Sequence, residues 1–205
     1  MRTESDQSRV TSFLSFLLPA IPKVSAVGAR YDHMGGLLAD VALQAGLNYE
    51  SVVAPRVRHV IDSQPNARRT QDIVKLLASM PAGHLLLWKG TEKIERYRCL
   101  VDTCATNGAD TVDDLRMLVT TSEGRRAFMA IRGVGQKTFD YLSLLCGVPT
   151  FPMDRHFLRF LEIAGVDVNQ YDYIGTQELL SIACSQLNLP PESLERGLWL
   201  LLRSC

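Results

Sequence analysis

Three features of the sequence predict an all-α protein. Apolar residues recur at three-four spacing along most of the chain. Few segments alternate apolar and polar residues, and no Asn-Gly or Asp-Gly hairpin turn joins two such runs. Gly, Pro, Ser, Thr and Asp punctuate the apolar stretches where helices start and stop. With 205 residues, 46% of them apolar and 21% charged, the chain can bury one core or two small ones. That composition excludes a disordered chain, a collagen-like repeat and a membrane bundle.

The elements follow in chain order. Val10, Phe13, Leu14 and Leu17 share one helical face, and Pro19 and Pro22 end that helix. Arg2 and Arg9 precede this apolar run as in a secretion leader, but Glu4, Asp6, Ser12 and Ser15 break that pattern. The run is also too short to span a bilayer, so a helix packed on the core is expected. Residues 36–45 (GLLADVALQA) form a short apolar helix, and residues 50–61 a second, interrupted by Pro55. Residues 66–79 follow, with Ile73, Leu76 and Leu77 on one face, then a short piece at 81–87. The long helix is 91–106, where Ile94, Tyr97, Leu100, Val101 and Cys104 keep the period. Asp110, Thr111 and Asp113 start a helix at 112–120, and Ser122 and Glu123 open another at 123–131. After Gly133 and Gly135, residues 137–146 are apolar and helical, and Asp154 opens 155–164. Segments 176–187 and 191–203 close a chain of about ten short helices joined by turns of ordinary length.

Lys plus Arg and Asp plus Glu each number 22, so the formal net charge is zero and no global field draws nucleic acid in. Any such binding needs a local patch. Arg125, Arg126, Arg132, Lys137, Arg155 and Arg159 crowd residues 123–160 against only Glu123, Asp140 and Asp154. The cysteines are Cys99, Cys104, Cys146, Cys184 and Cys205, with no Cys-x-x-Cys pair and none at zinc spacing from a His. Buried free thiols in a reducing compartment are expected, with no metal and no cofactor.

The informative stretch is Ile131-Arg-Gly-Val-Gly-Gln-Lys137-Thr138, between two helices. Two glycines two apart let the backbone turn sharply with positive φ and let its amides approach a phosphate. The second helix starts at once, so its unpaired N–H groups and positive dipole end face the same phosphate. That is the logic of a DNA-backbone clamp; a tight turn between packed helices is the plainer alternative. From Lys137 the helix climbs about 15 Å before Gly147 stops it. Residues 147–153 (GVPTFPM), kept extended by Pro149 and Pro152, reach back about 23 Å at most. Asp154 then opens a new helix, either as an N-cap or as the carboxylate of a Lys/Asp pair.

Residues 131–159 resemble the core signature of the helix-hairpin-helix DNA glycosylase superfamily, most closely its endonuclease III branch. The resemblance is carried by Gly133-Val134-Gly135-Gln136-Lys137-Thr138 and by Asp154-Arg155-His156-Phe157-Leu158-Arg159. Weaker similarity covers most of residues 36–205: Ala42-Leu43-Gln44-Ala45, Glu92-Lys93-Ile94-Glu95-Arg96 and Trp199-Leu200-Leu201-Leu202. The resemblance implies a two-lobed all-α fold, one lobe at 34–149 and the other built from 1–33 and 150–205, with DNA across the cleft. It implies base excision from double-stranded DNA with a damaged or mismatched base. Lys137 would be the nucleophile of an AP lyase and Asp154 the catalytic carboxylate. Gln44 would fill the gap left by the displaced base, and Arg132, Gly133, Val134, Gly135, Gln136, Thr138, Arg155 and His156 would contact DNA. A monomer in the cytoplasm, at the nucleoid if the source is bacterial, fits that role.

Three departures stand out. The hairpin opens with Ile131-Arg132 where the family has Leu-Pro. The Lys-to-Asp spacing is about one residue short of the branch. Only Cys205 stands near the first place of the four cluster cysteines, so no iron–sulfur centre is expected.

The chemistry suits the pair. Breaking an N-glycosidic bond builds positive charge on the sugar, which a carboxylate stabilises. Lys137 has to be neutral to attack; partial burial, a neighbouring cation or the helix N-terminus are the available means. A phosphate contact is the alternative role for Lys137. The rival functions are a monofunctional glycosylase, a non-enzymatic helix-hairpin-helix DNA-binding module and an all-α interaction protein.

Overall fold

A computed structural model of the chain describes residues 2–23 and 30–202. All the regular structure among the described residues is helical. The chain divides into two compact units, one of residues 28–148 and one of residues 1–27 with 149–205.

The larger unit is built around its first helix, α2 (Met34–Leu43), since α1 (Arg2–Leu17) belongs to the other unit. Helix α2 (Met34–Leu43) has all ten residues buried. Its sequence, MGGLLADVAL, is apolar all round apart from Asp40, so it has no face suited to water. His33 caps it, Nδ1 accepting from the Gly36 amide at 3.0 Å. Packed against it are α3 (Ala54–Ser63), α4 (Thr70–Ser79), α6 (Thr91–Thr106) and α9 (Gln136–Leu145). The short α5 (Ala82–Leu85), α7 (Val112–Val119) and α8 (Ser122–Met129) complete the unit. Val57, Val60, Ile73, Leu100, Val101 and Leu142 bury their side chains in one cluster with α2. Cutting such a Leu to Ala costs about 2–5 kcal/mol, because the cavity closes only in part.

The smaller unit holds α1 (Arg2–Leu17), α10 (Arg155–Ile163), α11 (Tyr173–Gln186) and α12 (Pro191–Leu202). The apolar face of α1 is used: Val10 and Leu14 are fully buried, and the Phe13 ring lies 5.2 Å from that of Phe160. Arg9 ties the helix down, its Nη1 donating to Asp6 Oδ1 and to Gly165 O at 3.0 Å each. Pro19 lies in the short 3₁₀ turn Leu18–Ala20 that ends α1. No helix among the described residues is long and apolar enough to cross a membrane.

Four expectations change. Pro55 does not interrupt a helix; it sits in the first turn of α3, where its missing N–H costs nothing, after one π-type turn at Tyr49–Val53. Helix α4 begins at Thr70 rather than 66, because a distant loop holds its start. Thr70 Oγ1 donates to Ala109 O at 2.6 Å, and Asp110 accepts from the Gln71 amide at 3.1 Å and from Arg69 Nε at 2.6 Å. Asp110 therefore serves α4, while Thr111 and Asp114 form the capping box of α7. Lastly, Cys99 is exposed on α6, whereas Cys104, Cys146 and Cys184 are buried. Cys205 lies outside the described residues. The one Asn-Gly pair, Asn107-Gly108, ends α6, with Gly108 at φ +72.

Candidate functional site

Helices α8 and α9 are joined by a turn at residues 130–135 that is closed by Val134 N donating to Ile131 O at 2.9 Å. Ile131 and Val134 are buried and anchor the turn, while Gly133 and Gly135 face solvent. Only Gly133 is in the left-handed region, at φ +82. Gly135 has φ −92 and ψ −175, so the expectation of positive φ at both glycines is corrected. Gly135 is the N-cap of α9 and offers no side chain to its first amides. A Cβ at Gly135 would meet nothing within 4 Å. The first amides of α9 therefore start a ten-residue helix beside open space, with the dipole's positive end behind them. Lys137 is the second residue of that helix and is exposed, so the partial burial considered for it is absent.

The other expected contacts divide. Arg132 is exposed and pairs at 3.5 Å with exposed Glu92, a contact worth little in water. The Gln136 side chain turns inward: it accepts from Arg125 and donates to Asp140 at 3.3 Å. The Arg125 guanidinium also stacks over Phe139 at 4.9 Å. Arg125 is thus half-buried and held by Gln136 and Phe139, and it leaves the patch. Val134 and Thr138 are buried, so main chain is all they can offer a ligand. Gln44 is the C-cap of α2, and its Nε2 is buried without a hydrogen-bond partner among the described residues.

Asp154, Arg155 and His156 belong to the smaller unit, whereas Lys137 belongs to the larger. Asp154 is the N-cap of α10: its Oδ1 accepts from the amides of His156 at 2.8 Å and Phe157 at 3.2 Å. Arg155 is exposed, and its Nε lies 3.5 Å from His156 Nε2. Arg159 is exposed and pairs with Glu162 at 3.3 Å.

No family model and no curated protein matches the chain.

Two groups of residues escaped sequence reasoning. One centres on Asp40, fully buried in α2. Its Oδ2 accepts from the hydroxyls of Tyr31 at 2.7 Å and Tyr49 at 3.2 Å, and its Oδ1 from that of Tyr141 at 3.1 Å. Burial pushes the Asp40 carboxyl up, and the three phenols and the charge of Arg30 oppose that. The Tyr31 and Tyr141 hydroxyls are pushed up too, first by burial and then by Asp40. Tyr141 lies one helical turn after Lys137, so the network backs the face of α9 that bears Lys137. A single acid inside GLLADVAL was the available signal.

The second group is on α6. Lys93 Nζ donates to Leu43 O at 2.9 Å and Ala45 O at 2.7 Å. Arg96 Nη1 donates to Ala42 O at 3.2 Å, and its Nε lies 3.5 Å from Arg132 O. Burial and then the charge of Arg96 push the Lys93 amine down.

Proposed function

We propose that this chain is a DNA glycosylase with AP-lyase activity acting in base excision repair, within a two-lobed helix-hairpin-helix fold. The observation that carries the reading is the turn 133–135, whose two glycines are exposed. There a left-handed glycine and a side-chain-free N-cap lead into a helix with an exposed lysine in its first turn. Groups of that kind suit a DNA phosphate first. A base in a duplex is out of reach until it leaves the stack, so the substrate nucleotide has to be flipped.

Lys137 in its neutral form attacks the anomeric carbon as the N-glycosidic bond breaks, and the base leaves with the bonding pair and takes up a proton. The amine bonded to the sugar opens the ring to a Schiff base. Loss of a proton from C2′ then expels the 3′ phosphate by β-elimination and nicks the strand. Asp154 supplies the negative charge that favours the cationic sugar.

One observation favours a second reading. Asp154 already serves as an N-cap, with both amide bonds on one oxygen. A DNA-binding module without chemistry needs nothing more from it. Borohydride trapping on duplex DNA with an abasic site separates the two. We expect wild type to form a covalent adduct and Lys137→Gln to lose it while still binding. On a second set of duplexes, each carrying one damaged or mismatched base, base release without nicking identifies a monofunctional enzyme, and no release there with no adduct on the abasic duplex leaves the binding module. Asp154→Asn keeps a capping oxygen but loses the charge. We expect it to melt within a few degrees of wild type and to excise base about a hundredfold more slowly. Unchanged excision would return Asp154 to capping alone.

A further inference from the structure

The turn that bears Gly133 and the end of α2 that bears Gln44 meet at one side chain, that of Arg96. The last carbonyls of α2 have no amide partners within the helix, and the dipole leaves them negative. Helix α6 brings two cations to them. Lys93 donates to Leu43 O and Ala45 O, the carbonyls on either side of Gln44, at 2.9 and 2.7 Å. Arg96, one turn further on, donates from Nη1 to Ala42 O at 3.2 Å. The other edge of the same guanidinium faces the hairpin: Nε lies 3.5 Å from Arg132 O. A Cβ on Gly133 would overlap the guanidinium itself. The missing side chain at Gly133 thus lets Arg96 in as well as permitting the turn. All these residues lie within the larger unit.

A planar fork with fixed donor directions can hold two carbonyls at a set separation, which a flexible ammonium cannot. The segment that carries Gln44, whose Nε2 is buried without a partner among the described residues, is thereby joined to the hairpin turn through one side chain.

We propose that Arg96 is a positioning residue that locks the Gln44 segment to the hairpin turn, so that gap filling and phosphate binding act as one rigid unit on a duplex with a displaced base. The proposal rests on the DNA-binding reading of the hairpin and on the gap-filling role that the resemblance implies for Gln44. It assigns to Arg96 no contact with the DNA.

The test uses the full chain and two duplexes. One is intact; the other carries a single tetrahydrofuran abasic analogue opposite 2-aminopurine. Arg96→Ala should weaken binding to the gapped duplex about tenfold and change binding to the intact duplex by less than about twofold. Wild type should change the 2-aminopurine fluorescence on binding, and both Arg96→Ala and Gln44→Ala should lose that change. The Arg96→Ala, Gln44→Ala double variant should bind the gapped duplex no more weakly than the worse single variant, because both remove the same interaction. Arg96→Lys, which keeps the charge, should retain intact-duplex binding and lose part of the gapped-duplex preference. It also carries the comparison if the Ala variant does not fold. Equal weakening on both duplexes, or additive losses in the double variant, overturns the positioning role while leaving the DNA reading in place. If wild type binds neither duplex, the DNA reading falls and the proposal with it.

Discussion

At the scale of single residues, Gly133 and Gly135 look interchangeable in the sequence and are not. Gly133 sits at φ +82, where any Cβ is strained. Gly133→Ala should cost at least about 1–2 kcal/mol of stability, the usual penalty of the left-handed region for an L residue, because its methyl must also push the Arg96 guanidinium aside. A melting point several degrees lower, read by circular dichroism, is the expected result. Gly135 sits at φ −92 with open space around its missing Cβ. Gly135→Ala should melt like wild type and yet bind duplex DNA at least about tenfold more weakly, since the methyl stands where a phosphate would approach. Wild-type DNA affinity in Gly135→Ala would falsify the phosphate-binding role of the turn. Lys137 and Arg132 remain exposed beside that turn, whereas Gln136 and Arg125 are spent on each other and on Asp140 and Phe139.

At the scale of elements, α2 is the helix to watch, because it is buried on all sides and still contains an acid. The three phenol donors and Arg30 keep Asp40 tolerable, but burial dominates and its carboxyl is pushed up from the usual value. The folded chain therefore holds the Asp40 proton to higher pH than the unfolded chain does. That contribution to stability is complete below about pH 4, the unfolded value. It is lost as pH rises through the folded value, since the native state binds more protons in that window. Asp40→Asn has no such titration. We expect wild-type stability minus Asn-variant stability, from urea unfolding, to fall as pH rises from about 4 toward neutrality. A difference that grows with pH would sink the assignment. The same helix ends under two cations from α6, so one element links the Asp40 network to the Gln44 segment.

At the scale of the whole molecule, burial sorts the thiols. Cys104 is pushed up to about 12 by burial in the larger unit, and Cys184 to about 12 in the smaller; Cys146 is pushed up as well. Thiols so placed are poor nucleophiles. Cys99 alone among the described residues is an exposed cysteine. In a Cys205→Ser background we expect one thiol per native chain to react promptly with an aromatic disulfide reagent. All four remaining cysteines should react in denaturant. Two or more fast thiols in the native chain would show that the buried set is more open than its packing indicates.

The sequence by itself determined the helical class, and most helices within a residue or two at each end. Spacing of apolar residues and local caps such as Thr111 and Asp154 depend on neighbours a few positions away, and those are written in the string; the caps Thr121 and Asp172 are equally local, but the expected helix starts fell after them. It also pointed to the turn at 131–138, since glycines and a following helix are local signals. Only the tertiary structure decided the rest. Asp110 capping α4 from 39 residues away is a long-range contact with no periodic trace. Asp40 collecting three tyrosines, and Arg96 joining Ala42 to the hairpin, depend on which helices pack side by side. The inward turn of Gln136 and Arg125 and the outward Cys99 are likewise matters of which face a helix buries. Packing chooses that face by summing many weak contacts from distant parts of the chain, and no short stretch of sequence holds that sum.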